Sequence, residues 1–517
     1  MSHDVRARVL PPLAAVLTVG VGLVNILSSL TPDAGWRAGV LHAAVGHEVP
    51  TAAHALALQA GVGLVVVGMY LARRHRRAWA VTVAILVAAG ALNLLKGLDV
   101  EEALANWALA ALLVSARGAF PVRGDPSAWA RGAFLAAAAG GVVALSVAAE
   151  ELFGREVGHG RAWEVVLLVA AAWIVFRPLA APRALPGAAA RVLARGIVEH
   201  HGGDTLSYFK LRADQHYFFD SRQRAFVAYR VEARTLVVAG DPVGPPTALP
   251  GLLRELLDFA SARDLRVSVV GASERFAQTA QAAGLRSWYL GDEAILDTAA
   301  FSLEGRRIRK VRQAVARAER AGYEAVATPL GALTDEQLAE LEALAERARC
   351  GEPERGFSMA LDGLRGEHVA DSLVVVARGA DGRAGGFLHF VPCFGRDAMS
   401  LGFMRRDPDT PNGLMEFLVV RSIEAVAVRG VAELSLNFAL FARLMHSPET
   451  RFERLLGRIA RIADRAFGIE SLYRFNAKFF PAWQPRYLLY QGALGLPRAG
   501  LATMWAERQL PALRFPR

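Results

Sequence analysis

Apolar residues fill the first ~180 positions in runs of about 20, the length that crosses ~30 Å of hydrocarbon, whereas the rest of the chain alternates short apolar stretches with charge. The runs are Val9–Leu30, Ala52–Leu71, Ala78–Leu95, Ala103–Ser115, Gly132–Ala149 and Ala162–Ala180. The fourth is the weakest, being short and interrupted by Asn106. Arginine occupies alternate loops: Arg6 and Arg8 precede the first run, Arg73, Arg74, Arg76 and Arg77 follow the second, Arg117, Arg123 and Arg131 follow the fourth, and Arg183, Arg191 and Arg195 follow the sixth. The intervening loops carry Asp33, Glu48, Asp99, Glu101, Glu102, Glu150 and Glu151. By the positive-inside rule this predicts a multi-span α-helical membrane domain over residues 1–182, about six helices in all, lying in the cell (inner or plasma) membrane with both ends cytoplasmic. Leu30 is followed by Thr-Pro-Asp and further apolar runs, which argues against a cleaved signal peptide.

Residues 183–195 read as a linker, and the pattern beyond it is mixed α and β. Phe226–Glu232 and Thr235–Gly240 predict a hairpin, Leu252–Arg263 a helix and Arg266–Gly271 a strand. Glu304–Ala321 predicts a basic amphipathic helix with Ile308, Val311, Val315 and Ala318 on one face. Thr334 to Gln337 is a capping-box pattern opening another helix. Strands follow at Ser372–Arg378, Gly386–Pro392, Met399–Arg405 and Glu433–Asn437, with the turn pair Asp381-Gly382 after the first and a helix from Leu414 to Arg429 before the last. The repeated order predicts two related α/β lobes, 196–325 and 326–517, packed together rather than drawn out as one long Rossmann sheet.

Charge narrows the partners. The chain is 53% hydrophobic and 21% charged, below the ~25% usual for soluble proteins, and its net charge is +10 with lysine only at Lys96, Lys210, Lys310 and Lys478. Such a surface favours polyanions, either phospholipid headgroups or nucleic acid. Cys350 and Cys393 have no ligand spacing, so no metal is expected.

Three stretches of the second lobe carry candidate chemistry. Met404 to Glu416 leaves a strand, crosses a polar loop and enters a helix at Asn412-Gly413, where backbone N–H groups can meet an anion beside Arg405 and Arg406. Asn437 interrupts an apolar strand, and a buried amide needs partners, structural or substrate. Leu472 to Tyr487 interleaves Arg474, Lys478 and Arg486 with Tyr473, Phe475, Phe479 and Trp483, a mixture suited to phosphate and base contacts.

Gly240-Asp-Pro-Val-Gly244, Gly356-Phe-Ser-Met359, Arg405 with Pro411-Asn-Gly413, Glu416-Phe-Leu, and Lys478-Phe-x-Pro-x-Trp-x-Pro-Arg-Tyr487 together resemble the multiple peptide resistance factor family, the membrane-bound phosphatidylglycerol lysyltransferases. The resemblance spans most of Ala190–Leu510, and Ser435 to Phe438 with Leu472 to Arg474 is closer to the actinobacterial branch, some of whose members carry a fused lysyl-tRNA synthetase. It implies tandem acetyltransferase-like (GNAT) lobes and transfer of an amino acid, lysine, from aminoacyl-tRNA to phosphatidylglycerol, masking lipid charge against cationic peptides. Aminoacyl-tRNA would be a co-substrate, with no bound cofactor. The sequence to Arg517 shows no synthetase domain, so the reading expects a separate lysyl-tRNA synthetase to charge the donor, and it admits a homo-oligomer.

On that resemblance Arg405, Asp407, Asn437 and Lys478 are the catalytic candidates. Glu354, Phe357, Asn412, Gly413, Glu416, Arg474, Trp483 and Arg486 would bind substrate, Glu354 through a cationic side chain. Arg306, Arg309 and Lys310 would track tRNA or lipid phosphate. One departure stands out: the family commonly has an aspartate three residues before the arginine, and here that position is Gly402. Two other readings remain at this stage, a coenzyme-A-dependent acyltransferase, weakened by the absence of an Arg/Gln-x-x-Gly-x-Gly/Ala turn in the Arg405–Gly413 loop, and a non-catalytic membrane-tethered tRNA- or lipid-binding protein or flippase.

Overall fold

The computed structural model describes residues 3–30, 48–125, 170, 172–182, 184–349, 351, 356–361, 363–366, 369–440 and 469–510. The chain divides into two compact units, Met1–Ala181 with Phe259–Leu265, and Pro182–Asp258 with Arg266–Arg517.

The first unit is helical. Its described helices are α1 (His3–Leu30), α2 (Glu48–Ala72), α3 (Arg76–Gly97) and α4 (Val100–Ser115). Val9–Ser29 and Arg76–Lys96 are long and apolar enough to cross a membrane, and Leu56–Ala72 is a shorter apolar stretch. The predicted fifth run, and about half of the sixth, lie outside the described residues. Gly22 and Gly61 let α1 and α2 touch backbone to backbone, since a Cβ on either would fall 2.8 Å from the other's carbonyl oxygen. Asn106, which made the fourth run look weak, is buried and satisfied. It exchanges hydrogen bonds with Asn25 at 3.1 and 3.2 Å, and Asn93 donates to the same Asn25 Oδ1 at 2.9 Å. Lys96, also buried, reaches Ser28 at 2.6 Å, Glu102 at 3.2 Å and Asp99 at 3.3 Å. Polar groups that would be costly against lipid are thus paired inside the bundle.

The second unit opens with α5 (Ala188–His201) and is built on one mixed sheet. Its strands are β1 (His216–Phe219), β2 (Phe226–Glu232), β3 (Thr235–Ala239), β4 (Arg266–Ser273), β5 (Leu285–Asp297), β6 (Glu324–Pro329), β7 (Leu373–Arg378), β8 (Ala384–Cys393), β9 (Ala398–Arg406), β10 (Glu433–Leu440) and β11 (Ala482–Gln491). The helices are α6 (Leu249–Ala262), α7 (Glu274–Ala282), α8 (Arg309–Arg320), α9 (Asp335–Arg349), α10 (Leu414–Ala427), α11 (Ile469–Ala477) and α12 (Leu496–Ala506).

Both halves show the same plan of antiparallel strands followed by a parallel strand–helix–strand crossover. In the first it is β3–α6–β4, in the second β9–α10–β10. Two halves of like plan are thus present, but not as two separate sheets. The order β1-β2-β3-β4-β11-β5-β10-β9-β8-β7-β6 is continuous, because β11 from the end of the chain inserts between β4 and β5, and β5 in turn pairs with β10. Each half therefore completes the other's sheet, and β6 runs across the expected 325/326 division.

Local signals behave as the sequence predicts. β2 and β3 form the hairpin, with Glu232 opposite Thr235. Thr334 and Gln337 exchange the two capping-box hydrogen bonds at 3.0 and 3.3 Å. The basic helix is shorter than expected. It begins at Arg309 because Gly305 takes φ 87° and the Arg312 guanidinium turns back onto the Leu303 and Gly305 carbonyls. Arg306 therefore lies in the preceding turn. The apolar face of α8, Val311, Val315 and Ala318, packs in the same core as Phe417 and Leu418 of α10.

Candidate functional site

β9 and β10 pair in parallel through only three rungs, from Glu433 opposite Ala398 to Ser435 opposite Ser400, and then separate. The separation follows a bulge in β10 between Ser435 and Phe438. Asn437 occupies the bulge at φ 66°, a left-handed conformation that asparagine tolerates better than most residues. Its amide nitrogen donates to the Leu401 carbonyl at 3.0 Å and the Met359 carbonyl at 2.9 Å, while Oδ1 accepts from the Phe438 N–H at 3.0 Å. One side chain thus bridges both diverging strands and the Gly356–Met359 loop. That loop is fixed from beneath: the Phe357 N–H donates to Glu507 at 2.7 Å, the Ser358 hydroxyl to Glu507 at 2.5 Å, and Gln215 to the Phe357 carbonyl at 2.9 Å. Phe357 is fully buried and serves the core that carries the loop.

Arg405, further along β9, donates to the Met404 carbonyl at 3.0 Å, and its guanidinium lies 5.3 Å from the Phe403 ring centroid. It lines a cavity of about 160 Å³ together with Glu342, Arg349, Leu364, Phe387 and Phe403. Between this arginine and the Asn437 contact lies Gly402, opposite a register shift at His389/Phe390. A Cβ at position 402 would fall 2.7 Å from His389 Nδ1. The His389 ring is buried, its Nε2 is 2.7 Å from the Ser372 hydroxyl, and that hydroxyl donates to the Val369 carbonyl at 2.5 Å. Nε2 therefore carries the proton, and burial pushes the imidazole down to about 3, so it stays neutral. The space an aspartate would use is taken by this ring. Gly402→Ala is expected to cost about 1–3 kcal/mol by overpacking, read as a lowered thermal midpoint, and His389→Ala in the same chain should recover most of the loss.

Glu416, in the first turn of α10, holds Lys478 at 2.7 Å, and the Lys478 ammonium lies 5.2 Å from the Phe475 ring centroid. Trp483 stacks on Tyr473 with centroids 4.9 Å apart. Asn412 and Gly413 lie against α8: Arg317 donates to the Asn412 carbonyl at 3.1 Å, and a Cβ on Gly413 would be 2.9 Å from that of Ala314. Asp407 pairs with Arg347 at 3.1 Å near the surface. The Asp409 N–H and then Arg347 hold its carboxyl below the usual range. Arg306, Arg309, Lys310 and Arg474 are exposed, and Glu354 lies outside the described residues. The structure therefore ties Asn437 of β10 to β9 at Leu401, places Arg405 four residues further along β9 beside the Phe403 cavity, pairs Glu416 with Lys478, and places the remaining candidates apart.

Arg486 sits in a buried ion cluster. It is buried on β11 with every donor nitrogen engaged: Nε on Glu293 at 2.9 Å, Nη1 on the Gly271 carbonyl at 3.3 Å, and Nη2 on Asp204 at 2.6 Å and Thr205 at 2.8 Å. Ser435 also donates to Glu293, at 2.5 Å. Burial would depress the Arg486 guanidinium, but Asp204 and Glu293 outweigh it and hold the charge firmly. Close by, Asp241 accepts from the Ser273 N–H at 2.8 Å and the Ser273 hydroxyl at 2.5 Å. Burial and then repulsion from Asp204 push Asp241 up to about 6. Lys210 is buried, which lowers its ammonium against the pull of Asp204 and Asp241.

The sequence gives this charged cluster one faint signal. Lysine is rare in the chain, and Lys210 is one of only four, which sets it apart from the many arginines.

The raised Asp241 has a measurable consequence. Ionising it costs the folded state, so its contribution to stability is present below the unfolded value near 3.8 and is lost as pH rises towards about 6. Asp241→Asn is expected to raise stability at pH 7.5 and to leave it unchanged at pH 4, a difference of order 2 kcal/mol. Thermal midpoints of both proteins across that range check it.

A family model described as "Phosphatidylglycerol lysyltransferase, C-terminal" matches residues 195–490 of this chain. The Rhodococcus jostii lysylphosphatidylglycerol biosynthesis bifunctional protein LysX is 36% identical over 388 residues, covering 73% of this chain and 34% of that protein. The Mycobacterium avium protein of the same name is 38% identical over 348 residues, covering 66% and 29%. The chain thus spans about a third of the length of the curated relatives it matches. Among solved structures, L-PGS from Bacillus licheniformis shares the fold with a TM-score of 0.54, at 22% identity over 61% of this chain and 96% of that one. With the family model covering more than half its length, including the diverging strands, Arg405 and Lys478, this chain belongs to the phosphatidylglycerol lysyltransferase C-terminal family.

Proposed function

We propose that this chain is a membrane-bound aminoacyltransferase that moves lysine from lysyl-tRNA to a glycerol hydroxyl of phosphatidylglycerol. The observation that carries the reading is the polar gap between β9 and β10, bridged by Asn437 and followed by Arg405, inside the segment that the family model matches. The relatives' names supply the product, lysylphosphatidylglycerol, and the apolar helices of the first unit supply a route to the lipid. Further helices would complete a multi-pass domain, with the second unit on the cytoplasmic side where charged tRNA is found.

Ester exchange needs no redox group and no outside energy, because the tRNA ester is already activated. The protein has to align the lipid hydroxyl with the ester carbonyl, accept its proton and steady the oxyanion. Arg405 fits the last task. Its cavity has apolar walls in Leu364, Phe387 and Phe403, and a low-dielectric wall strengthens the guanidinium's pull on negative charge. The Glu416–Lys478 pair fits proton handling at the hydroxyl. Arg306, Arg309 and Lys310 offer an exposed basic strip for nucleic-acid phosphate.

Expressed in a host that makes phosphatidylglycerol but not its lysyl ester, the chain should yield lysyl-phosphatidylglycerol detectable by mass spectrometry of extracted lipid. Lys478→Ala should reduce it at least tenfold, in line with loss of one proton-transfer group. An unchanged lipid profile with abundant, folded, membrane-inserted protein would refute the assignment.

A further inference from the structure

Phe479 and Phe480 follow α11 and meet different surroundings. Phe479 is buried in the core that holds Phe417 and Leu434. Phe480 is 47% exposed and takes φ 55°, a left-handed conformation that is uncommon for a bulky side chain and that glycine or asparagine adopts more readily after a helix end. Its N–H donates to the Ala477 carbonyl at 3.3 Å, which closes the helix. Glycine would serve that cap at least as well, so the cap accounts for the backbone and not for the ring.

The ring meets the other basic segment of the unit. The Arg307 guanidinium carbon lies 4.5 Å from the Phe480 ring centroid. Arg307 is in the turn before α8, so the contact joins the exposed cations Arg306, Arg309 and Lys310 to an exposed aromatic that is distant in sequence. Unpaired nucleobases stack on aromatic rings and on guanidinium planes alike, and neighbouring cations suit the phosphates of the same strand. A bilayer fits less well. A ring that enters hydrocarbon carries its neighbours with it, and the guanidinium over this one would be costly there.

Position links the platform to the reaction. Lys478, paired with Glu416 at 2.7 Å, is two residues before Phe480, so their Cα atoms are no more than about 7 Å apart. In an aminoacyl-tRNA the amino acid is esterified to the ribose of the terminal adenosine. A base stacked at Phe480 therefore keeps the ester within a nucleoside's length of Lys478.

We propose that Phe480 and Arg307 form a stacking platform for the unpaired adenine at the 3′ end of the donor tRNA, and so set the position of its ester. The proposal rests on lysyl-tRNA being the donor, as proposed above.

The test is fluorescence anisotropy of two lysine-accepting tRNAs, one intact and one lacking the terminal base, titrated with the full chain in phosphatidylglycerol nanodiscs. Wild type should bind the intact tRNA roughly fivefold or more tightly than the other, the low end of what one stacked base contributes. Phe480→Gly should bring both to the same weaker affinity, and its thermal midpoint should not fall, because glycine is at ease at φ 55°. Phe480→Tyr keeps the ring and should keep the preference. With lysyl-tRNA as donor, Phe480→Gly should raise KM and change kcat little, the mark of a contact made equally in ground and transition states. An unchanged preference in folded Phe480→Gly, or no preference in wild type, overturns the proposal, and the second result leaves the ring to the lipid surface. Preference for the intact tRNA without lysyl transfer would sink the transferase reading and keep the platform, whereas transfer without preference would do the reverse.

Discussion

Replacing Arg486 with leucine is expected to destabilise the second unit by about 3–5 kcal/mol, the cost of removing one partner from a buried ion cluster. The guanidinium is the only group that touches both Asp204 and Glu293 among the described residues, and it also reaches Thr205 and the Gly271 carbonyl. Leucine fills part of the volume and none of the charge. Three carboxylates would then face Lys210, with Arg396 acting on Asp204 from the rim, and Glu293, with no exposed surface, cannot turn to water. Position makes the effect global, because β11 holds β4 to β5 and so closes the first half of the sheet with the last strand of the second. A fall in thermal midpoint of roughly 4–7 °C follows for a domain of this size, with low yield of folded protein as its cellular counterpart. Arg486→Leu combined with Glu293→Gln and Asp204→Asn should recover a large part of the loss, since the uncompensated charges go with the arginine. A single variant as stable as wild type would show that the cluster is hydrated and cheap to open.

The same residue marks where reading the chain stops. The β2–β3 hairpin, the capping box at Thr334 and the helices between β3 and β4 and between β9 and β10 follow from patterns within a few dozen residues, and the structure has each of them. Asn437 was legible as an amide in an apolar strand that needed partners. Its partners, Leu401 and Met359, lie 36 and 78 residues away and were not legible. Arg486 read as one more cation in an aromatic stretch because nothing near it in sequence names Asp204 or Glu293, which lie 282 and 193 residues away. Insertion of β11 between β4 and β5 is equally nonlocal, so the sequence suggested two lobes side by side where one sheet is shared. Gly402 stood out as a departure, and its cause, the His389 ring across the bulge, is a contact between strands that only register reveals.

Arg405→Ala should lower the rate of lysyl transfer about 10²–10³-fold, or ~2.7–4 kcal/mol in the barrier, the effect of removing one preorganised donor to a developing oxyanion. Charge alone does not explain so large a number, since many arginines crowd this surface. Placement does: Arg405 sits on β9 three residues past Gly402 and four past the Leu401 carbonyl that Asn437 grips, so its backbone is tied to the gap between β9 and β10. The Phe403 ring lies under its guanidinium and the cavity beside it has apolar walls, which limits screening by water. Arg405→Lys keeps the charge but loses the planar fork and its stacking on Phe403, so it should fall between alanine and wild type. The loss should appear in kcat with KM for phosphatidylglycerol little changed, because a group that acts on the oxyanion contributes mainly in the transition state. An alanine variant within twofold of wild type would remove Arg405 from the reaction and move attention to the Glu416–Lys478 pair.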